Sequence, residues 1–239
     1  MRSAFACCET RLVLNSAFGP PISSDEQTGF FDRLMAEAFR RHGVQISVDR
    51  PPAERALLNA NAGIVAGDGP RIAHLDSGGH YPNLIRVPEK ILDVDFVVFT
   101  NGRKLDVSQW EDLASYNVGI VRGWKILERN IIDARSLVKI KTPTLLFELL
   151  KNGRVDAVVI DRWSGLAVAE KLKLKTILVL DPPLAIRPMF LYLHRQYADL
   201  VPKIAASLKA LKADGTYGRL RMQSFAHYTH QLRAMRSEP

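Results

Sequence analysis

The residues of this chain best suited to hold a small charged molecule are arginines and a few residues at expected strand ends. Arg71 lies just past Asp68 and could engage a carboxylate through two parallel N–H bonds. Arg55 falls near an expected helix start, where the dipole disfavours a cation, so a specific anion partner would account for it. A salt bridge to Glu54 is the plainer alternative. Arg122 and Arg162 add charge after two apolar strands, and three or four arginines meeting in one cleft would suit an acidic solute. Gly123-Trp124 stands where a strand gives way to a helix, and the free N–H groups of a helix start favour a carboxylate. Phe18 could stack on a ligand from the first loop or simply pack into the core. Asp161, after Val158-Val159-Ile160, is placed to cap the helix that follows.

Familiar catalytic signatures are missing. There is no G-x-S-x-G elbow, no H-E-x-x-H and no P-loop, and Gly67-Asp68-Gly69 lacks the third glycine of a dinucleotide fingerprint. His227 and His230 have a spacing that could hold a metal on a helix, but no third ligand stands near them. Cys7 and Cys8 are adjacent and are the only two cysteines, which disfavours a structural disulfide or a zinc cluster. No cofactor and no catalytic residue is therefore expected.

Composition narrows the class. Hydrophobic residues make up 47% and charged residues 24% of 239, which excludes disordered and fibrous chains. The longest stretch free of charge covers 13 residues, 12–24, and is broken by Gly19, Pro20 and Pro21, so no helix is expected to cross a bilayer. The net charge of +8 raises nucleic acid as a partner. However, residues 202–239 carry +5 of it with no accompanying motif, so a solvated helix face is expected and no nucleic acid. Ala4-Phe5-Ala6 fits a small-x-small cleavage site, although the apolar run of a full signal peptide is not ahead of it.

The elements that would position these residues alternate between strand and helix. Strands are expected at 11–17, 44–48, within 64–72, and at 84–87, 94–100, 117–121, 137–140, 155–160, 176–180 and 189–193. Phe30, Leu34 and Ala38 make one i, i+4 row and Phe31, Met35 and Phe39 the next, giving a helix closed by Gly43. Further helices are expected at 52–62, from 124, from Thr142-Pro143 to Gly153, and at 162–172, 197–213 and 216–222, with a mobile remainder. This rhythm implies α/β layers with largely parallel sheets. Connectors around 100–105 and 181–187 bracket a middle unit. Two lobes follow, one from 1–100 and 186–239 and the other from 101–185, with a cleft between them as the natural small-molecule site.

Several short motifs occur in a telling order: Phe18-Gly19-Pro20-Pro21 with Gly29-Phe30-Phe31-Asp32, then Pro52-Ala53-Glu54-Arg55-Ala56 and Ala66-Gly67-Asp68-Gly69. The second half adds Val118-Gly119-Ile120-Val121-Arg122-Gly123-Trp124, then Lys151-Asn152-Gly153-Arg154-Val155-Asp156-Ala157, and finally Lys212-Ala213-Asp214-Gly215-Thr216-Tyr217. Across residues 11–222 the chain resembles a bacterial extracellular solute-binding protein of family 3. The resemblance implies a two-lobed type II periplasmic-binding-protein-like α/β fold that clamps a solute by hinge closure. It further implies a monomeric, periplasmic receptor that serves an inner-membrane ABC permease in an importer. The small polar solute would be anionic or amino-acid-like and would be held by Phe18, Arg55, Arg71, Arg122, Gly123, Trp124, Asp161 and Arg162, with Asp161 at the position that often takes a ligand amine. Two departures stand out: Trp124 replaces the usual Thr after Gly, and the usual Thr-x-Glu-Arg string is not intact, since 76–82 is a different loop. A cyclohexadienyl-dehydratase-like lyase on the same fold and a ligand-sensing module remain the alternatives.

Overall fold

The computed structural model describes residues 10–73, 75 and 79–237. Cys7, Cys8 and the Ala4-Phe5-Ala6 string lie outside the described residues, as does part of the 76–82 loop. In chain order the elements are β1 (Thr10–Asn15), α1 (Phe30–Arg40), β2 (Val44–Asp49), α2 (Ala53–Asn61), β3 (Gly67–Ile72), β4 (Leu84–Arg86) and β5 (Leu92–Asn101). They continue as β6 (Asn117–Val121), α3 (Lys125–Asn130), β7 (Ser136–Ile140), α4 (Pro143–Lys151), β8 (Ala157–Asp161), α5 (Arg162–Lys171) and β9 (Ile177–Val179). The chain ends with β10 (Ala185–His194), α6 (Leu200–Ala213) and α7 (Thr216–Ser237).

The strands run β2-β1-β3-β10-β5-β8-β6-β7 in one curled α/β sheet. β1 is parallel to β2 and β3, and β6 is parallel to β7 and β8. The long strand β5 joins the two groups. It pairs antiparallel with β10 from Leu92 to Phe96, and with β8 from Phe96 to Phe99. The partner changes at Phe96, inside the strand and ahead of the 100–105 segment read from sequence as a connector. In each group the parallel strands point their carboxyl ends toward the same inter-lobe space, the usual location of ligands in open α/β sheets.

Both apolar rows of α1 are fully buried. Asp32 lies in the first turn of α1 and is buried, accepting from Ser23 Oγ at 2.6 Å, Ser24 N at 2.8 Å and Gly29 N at 2.9 Å. Burial raises its pKa against these bonds. The carboxyl ties the loop after β1 to the helix start and so fixes the segment that carries Phe18. Thr142 caps α4 through Leu145 N as expected.

α7 departs most from expectation. It runs 22 residues, where the sequence predicts a helix only to 222 and a mobile remainder. Phe225 supplies the reason. Its ring packs edge-on against Phe30 of α1 at 5.6 Å and against Trp163 of α5 at 5.0 Å. His227 Nε2 lies 2.9 Å from Glu170 Oε1, also on α5. The C-terminal helix thus touches both lobes. Among the described residues, no helix is long and apolar enough to cross a membrane.

Candidate functional site

Three aromatic rings meet between the lobes. Phe18 follows β1, Phe96 lies at the switch point of β5, and Trp124 follows β6. Trp124 packs against Phe18 at 5.0 Å and edge-on to Phe96 at 6.0 Å. With Ala17, Pro70, Arg71 and Met189 these rings line a cavity of about 30 Å³. A small-molecule site usually measures about 300–1,000 Å³, so the cavity with the lobes in this arrangement is too small for a solute. The lobes here touch. A Cβ on Gly123 would sit 2.8 Å from Glu54 N, and the backbone at Gly123 has φ +85°. Only glycine meets both conditions without strain. Lys125 Nζ also reaches Glu54 Oε1 at 3.5 Å across the gap. A wider groove of about 600 Å³ runs between Gly19 and Arg50 on one lobe and Thr144 and Ser164 on the other.

Local structure accounts for each position. Arg50 Nε donates to the Phe18 carbonyl at 3.1 Å and Nη1 pairs with Asp25 at 3.1 Å, which holds the first loop in place. Asp161 ends β8 and is 0% exposed. Its Oδ1 accepts from Ser164 N at 2.9 Å as the cap of α5, while Oδ2 has no hydrogen-bond partner. Asp161 stands directly opposite Phe96 in the antiparallel β5–β8 pair, so the two side chains share the face on which Trp124 packs. Burial pushes its carboxyl up to about 6, only partly offset by the backbone N–H groups of Ser164 and Trp163.

A bulge sets the other wall. Asp68 pairs with Tyr192 and Arg71 with Phe190, so β3 carries one extra residue against β10. The extra residue breaks the two-residue alternation and brings Asp68 and Arg71 to one side. Arg71 Nε donates to Asp68 Oδ2 at 2.7 Å and Nη2 to Ala53 O at 2.9 Å. Burial pushes the Asp68 carboxyl up, against the pull of Arg71. Asp68 Oδ1 and the neighbouring Asn15 Oδ1 are buried without partners.

The sequence-predicted residues therefore divide. Phe18, Arg71 and Trp124 line the inter-lobe cavity; Gly123 precedes Trp124 and Asp161 pairs across the sheet with Phe96, but neither lines it. Arg55 and Arg122 are exposed and do not line it. Arg162 is buried with Asp95 Oδ2 at 3.1 Å and Asp181 Oδ1 at 2.8 Å, which sets it against the strand crossings. The four arginines do not converge. Four participants escaped the sequence reading: Phe96, Asp68 as partner of Arg71, Arg50 and Ser164. An acid and an arginine three residues apart in one short strand are a signal that could have marked Asp68 as the partner of Arg71. Phe96 looks like any core residue of its strand. His227, read as a possible metal ligand, pairs with Glu170. Among the described residues, no group of three or more His, Cys, Asp or Glu is arranged to hold a metal.

No protein-family model matches the chain. An uncharacterized protein of Shewanella oneidensis is 26% identical over 207 residues, covering 82% of this chain and 75% of its own. Among solved structures, a histidine kinase sensor domain with similarity to periplasmic binding proteins superposes with a TM-score of 0.77 at 17% identity, covering 90% of this chain and 95% of that one. The arginine-, lysine-, histidine-binding protein ArtJ of Geobacillus stearothermophilus gives 0.76 at 17% identity, covering 91% and 96%. The fold is that of the two-lobed periplasmic binding proteins.

Proposed function

We propose that the protein is an extracytoplasmic solute receptor that captures a small polar, amino-acid-like solute between its lobes and presents it to an inner-membrane ABC permease. The observation that carries this reading is the inter-lobe cavity, where rings from both lobes meet beside buried polar atoms that lack partners. An unpaired buried polar group costs about 1–3 kcal/mol, so a ligand that supplies the missing bonds is favoured by the closed lobes. Phe18 and Trp124 would cover its apolar part, and Asp161 would take its donor group. The periplasm and a monomeric state accompany the proposal. The paired and scattered arginines lend no support to an anionic solute.

Thermal denaturation against a panel of amino acids and small organic acids tests the reading. A ligand at one hundred times its Kd stabilises the folded form by about 2.7 kcal/mol. A raised melting temperature together with a smaller radius of gyration in solution scattering is expected. If no solute raises the melting temperature and one of them is turned over, the receptor reading fails. Asp161 is the one observation that favours an enzyme, since a lyase on this fold needs a buried carboxylic acid able to give up a proton near neutral pH. A sensor module would bind the solute equally and would be distinguished by its coupling partner.

A further inference from the structure

The chain crosses between the lobes along β5 and again ahead of β10. We propose that α7 is a third tie, a non-covalent strap seated on the first lobe whose outer part grips α5 and resists parting of the lobes. The seat is aromatic. The Phe30 ring of α1 packs edge-on against Tyr217 at 5.3 Å and against Phe225 at 5.6 Å. Arg33 Nη1 also donates to Gln223 Oε1 at 3.4 Å. Phe225 is buried and meets Trp163, the second residue of α5, at 5.0 Å. The grip lies beyond that contact, where His227 Nε2 stands 2.9 Å from Glu170 Oε1.

The geometry makes the two contacts unequal. Arg162, the first residue of α5, is pinned by Asp95 of β5 and by Asp181, both beside the strand crossings. With the crossings as the axis, Trp163 stays close to the pivot and moves little when one lobe turns. Glu170 stands two turns further along α5, about 12 Å from Arg162 at 1.5 Å per residue. A rigid-body turn of about 15° would carry it by about 3 Å, which takes the pair beyond reach. Tyr228 sets the direction. It adjoins His227 and lines the wide groove together with Gly19 and Arg50 of one lobe and Thr144 and Ser164 of the other. The outer part of α7 therefore lies on the side that widens as the lobes part, so opening pulls on the strap. Both partners of the pair are partly exposed, which makes the grip weak enough to release and re-form.

Amide exchange followed by mass spectrometry on the full chain, with no solute added, tests the strap. The reporter is the segment 123–127, whose Gly123 and Lys125 lie against Glu54 across the lobes. Glu170→Ala removes the pair at a partly exposed position. Exchange of 123–127 should quicken about 1.4- to 5-fold, the range for an exposed pair, while the amides of α1 keep their wild-type rates. Glu170→His combined with His227→Glu re-forms the pair in reverse and should restore the wild-type rate. Phe225→Ala unseats the strap, and a larger radius of gyration in solution scattering is expected. The proposal is overturned if Glu170→Ala leaves 123–127 unchanged, if α1 quickens by the same factor, if the reversed pair restores nothing, or if Phe225→Ala folds with the wild-type radius of gyration. Because no solute takes part, any of these results leaves the receptor reading to its own test.

Discussion

Asp161→Asn gives a measurable test of the cavity's electrostatics without any ligand. The wild-type carboxyl moves from an ordinary 3.8 to about 6 in the folded chain because burial penalises its charged form. A raised carboxylate pKa means the folded state binds the proton more tightly than the unfolded one. The contribution is fully present below pH 3.8 and is lost as pH rises through about 6. The shift of roughly two units corresponds to about 3 kcal/mol. Since Asp161 is 0% exposed, no discount for solvent screening applies. Asn keeps the acceptor for Ser164 N and has no proton to lose. Urea unfolding of both proteins between pH 4 and pH 8 isolates the effect, because other titrating groups cancel in the difference. Relative to its value at pH 4, the stability of the variant over wild type should grow by about 2.5 kcal/mol, with most of the change between roughly pH 4 and 6.5. A flat difference would show that the carboxyl is as well solvated as in the unfolded chain. A difference of the opposite sign would show that it is ionised and satisfied. Either result refutes the assignment of an unpartnered, buried acid.

Other perturbations follow from the same geometry. Trp124→Ala removes a buried ring between Phe18 and Phe96 and should cost about 3–5 kcal/mol in denaturant unfolding. Gly123→Ala places a Cβ against the Glu54 backbone at a left-handed residue; a cost of about 1–2 kcal/mol and a larger radius of gyration by solution scattering are expected. Arg162→Ala leaves Asp95 and Asp181 facing a buried space, and a loss of about 3 kcal/mol, at the low end for a broken buried pair because both acids are partly exposed, should appear as a lower urea midpoint. Phe225→Ala detaches α7 from Phe30 and Trp163; a loss of about 3 kcal/mol and faster amide exchange along α7 are expected.

The fold was legible where periodicity and punctuation agree. The double row from Phe30 to Phe39, the Thr142-Pro143 start and the apolar run ending at Asp161 each name their element without tertiary help. α7 was truncated because its contacts are sparse. Phe225 and Tyr228 stand among His, Arg and Gln, and only the neighbouring Phe30 and Trp163 make that side a packing face. The site was half legible. Loop residues at strand ends, such as Phe18, Gly123 and Asp161, follow from topology, since parallel strands place their carboxyl ends together. Arg71 reaches the cavity, but Arg55, Arg122 and Arg162 do not, because a guanidinium in sequence carries no record of its partner. The bulge that turns Asp68 toward Arg71 and the folding that brings Asp95 and Asp181 onto Arg162 are long-range outcomes.

The packing of Trp124 also gives the protein a built-in optical gauge. The chain has three tryptophans. Trp124 lies in a dry aromatic contact between the lobes, while Trp163 sits under Phe225 of α7. Hydration of an indole moves its emission to longer wavelength. Separation of the lobes would therefore be read from the colour of Trp124, and release of the C-terminal helix from that of Trp163. Replacing two of the three tryptophans by phenylalanine in turn would let each motion be timed alone, with no attached dye.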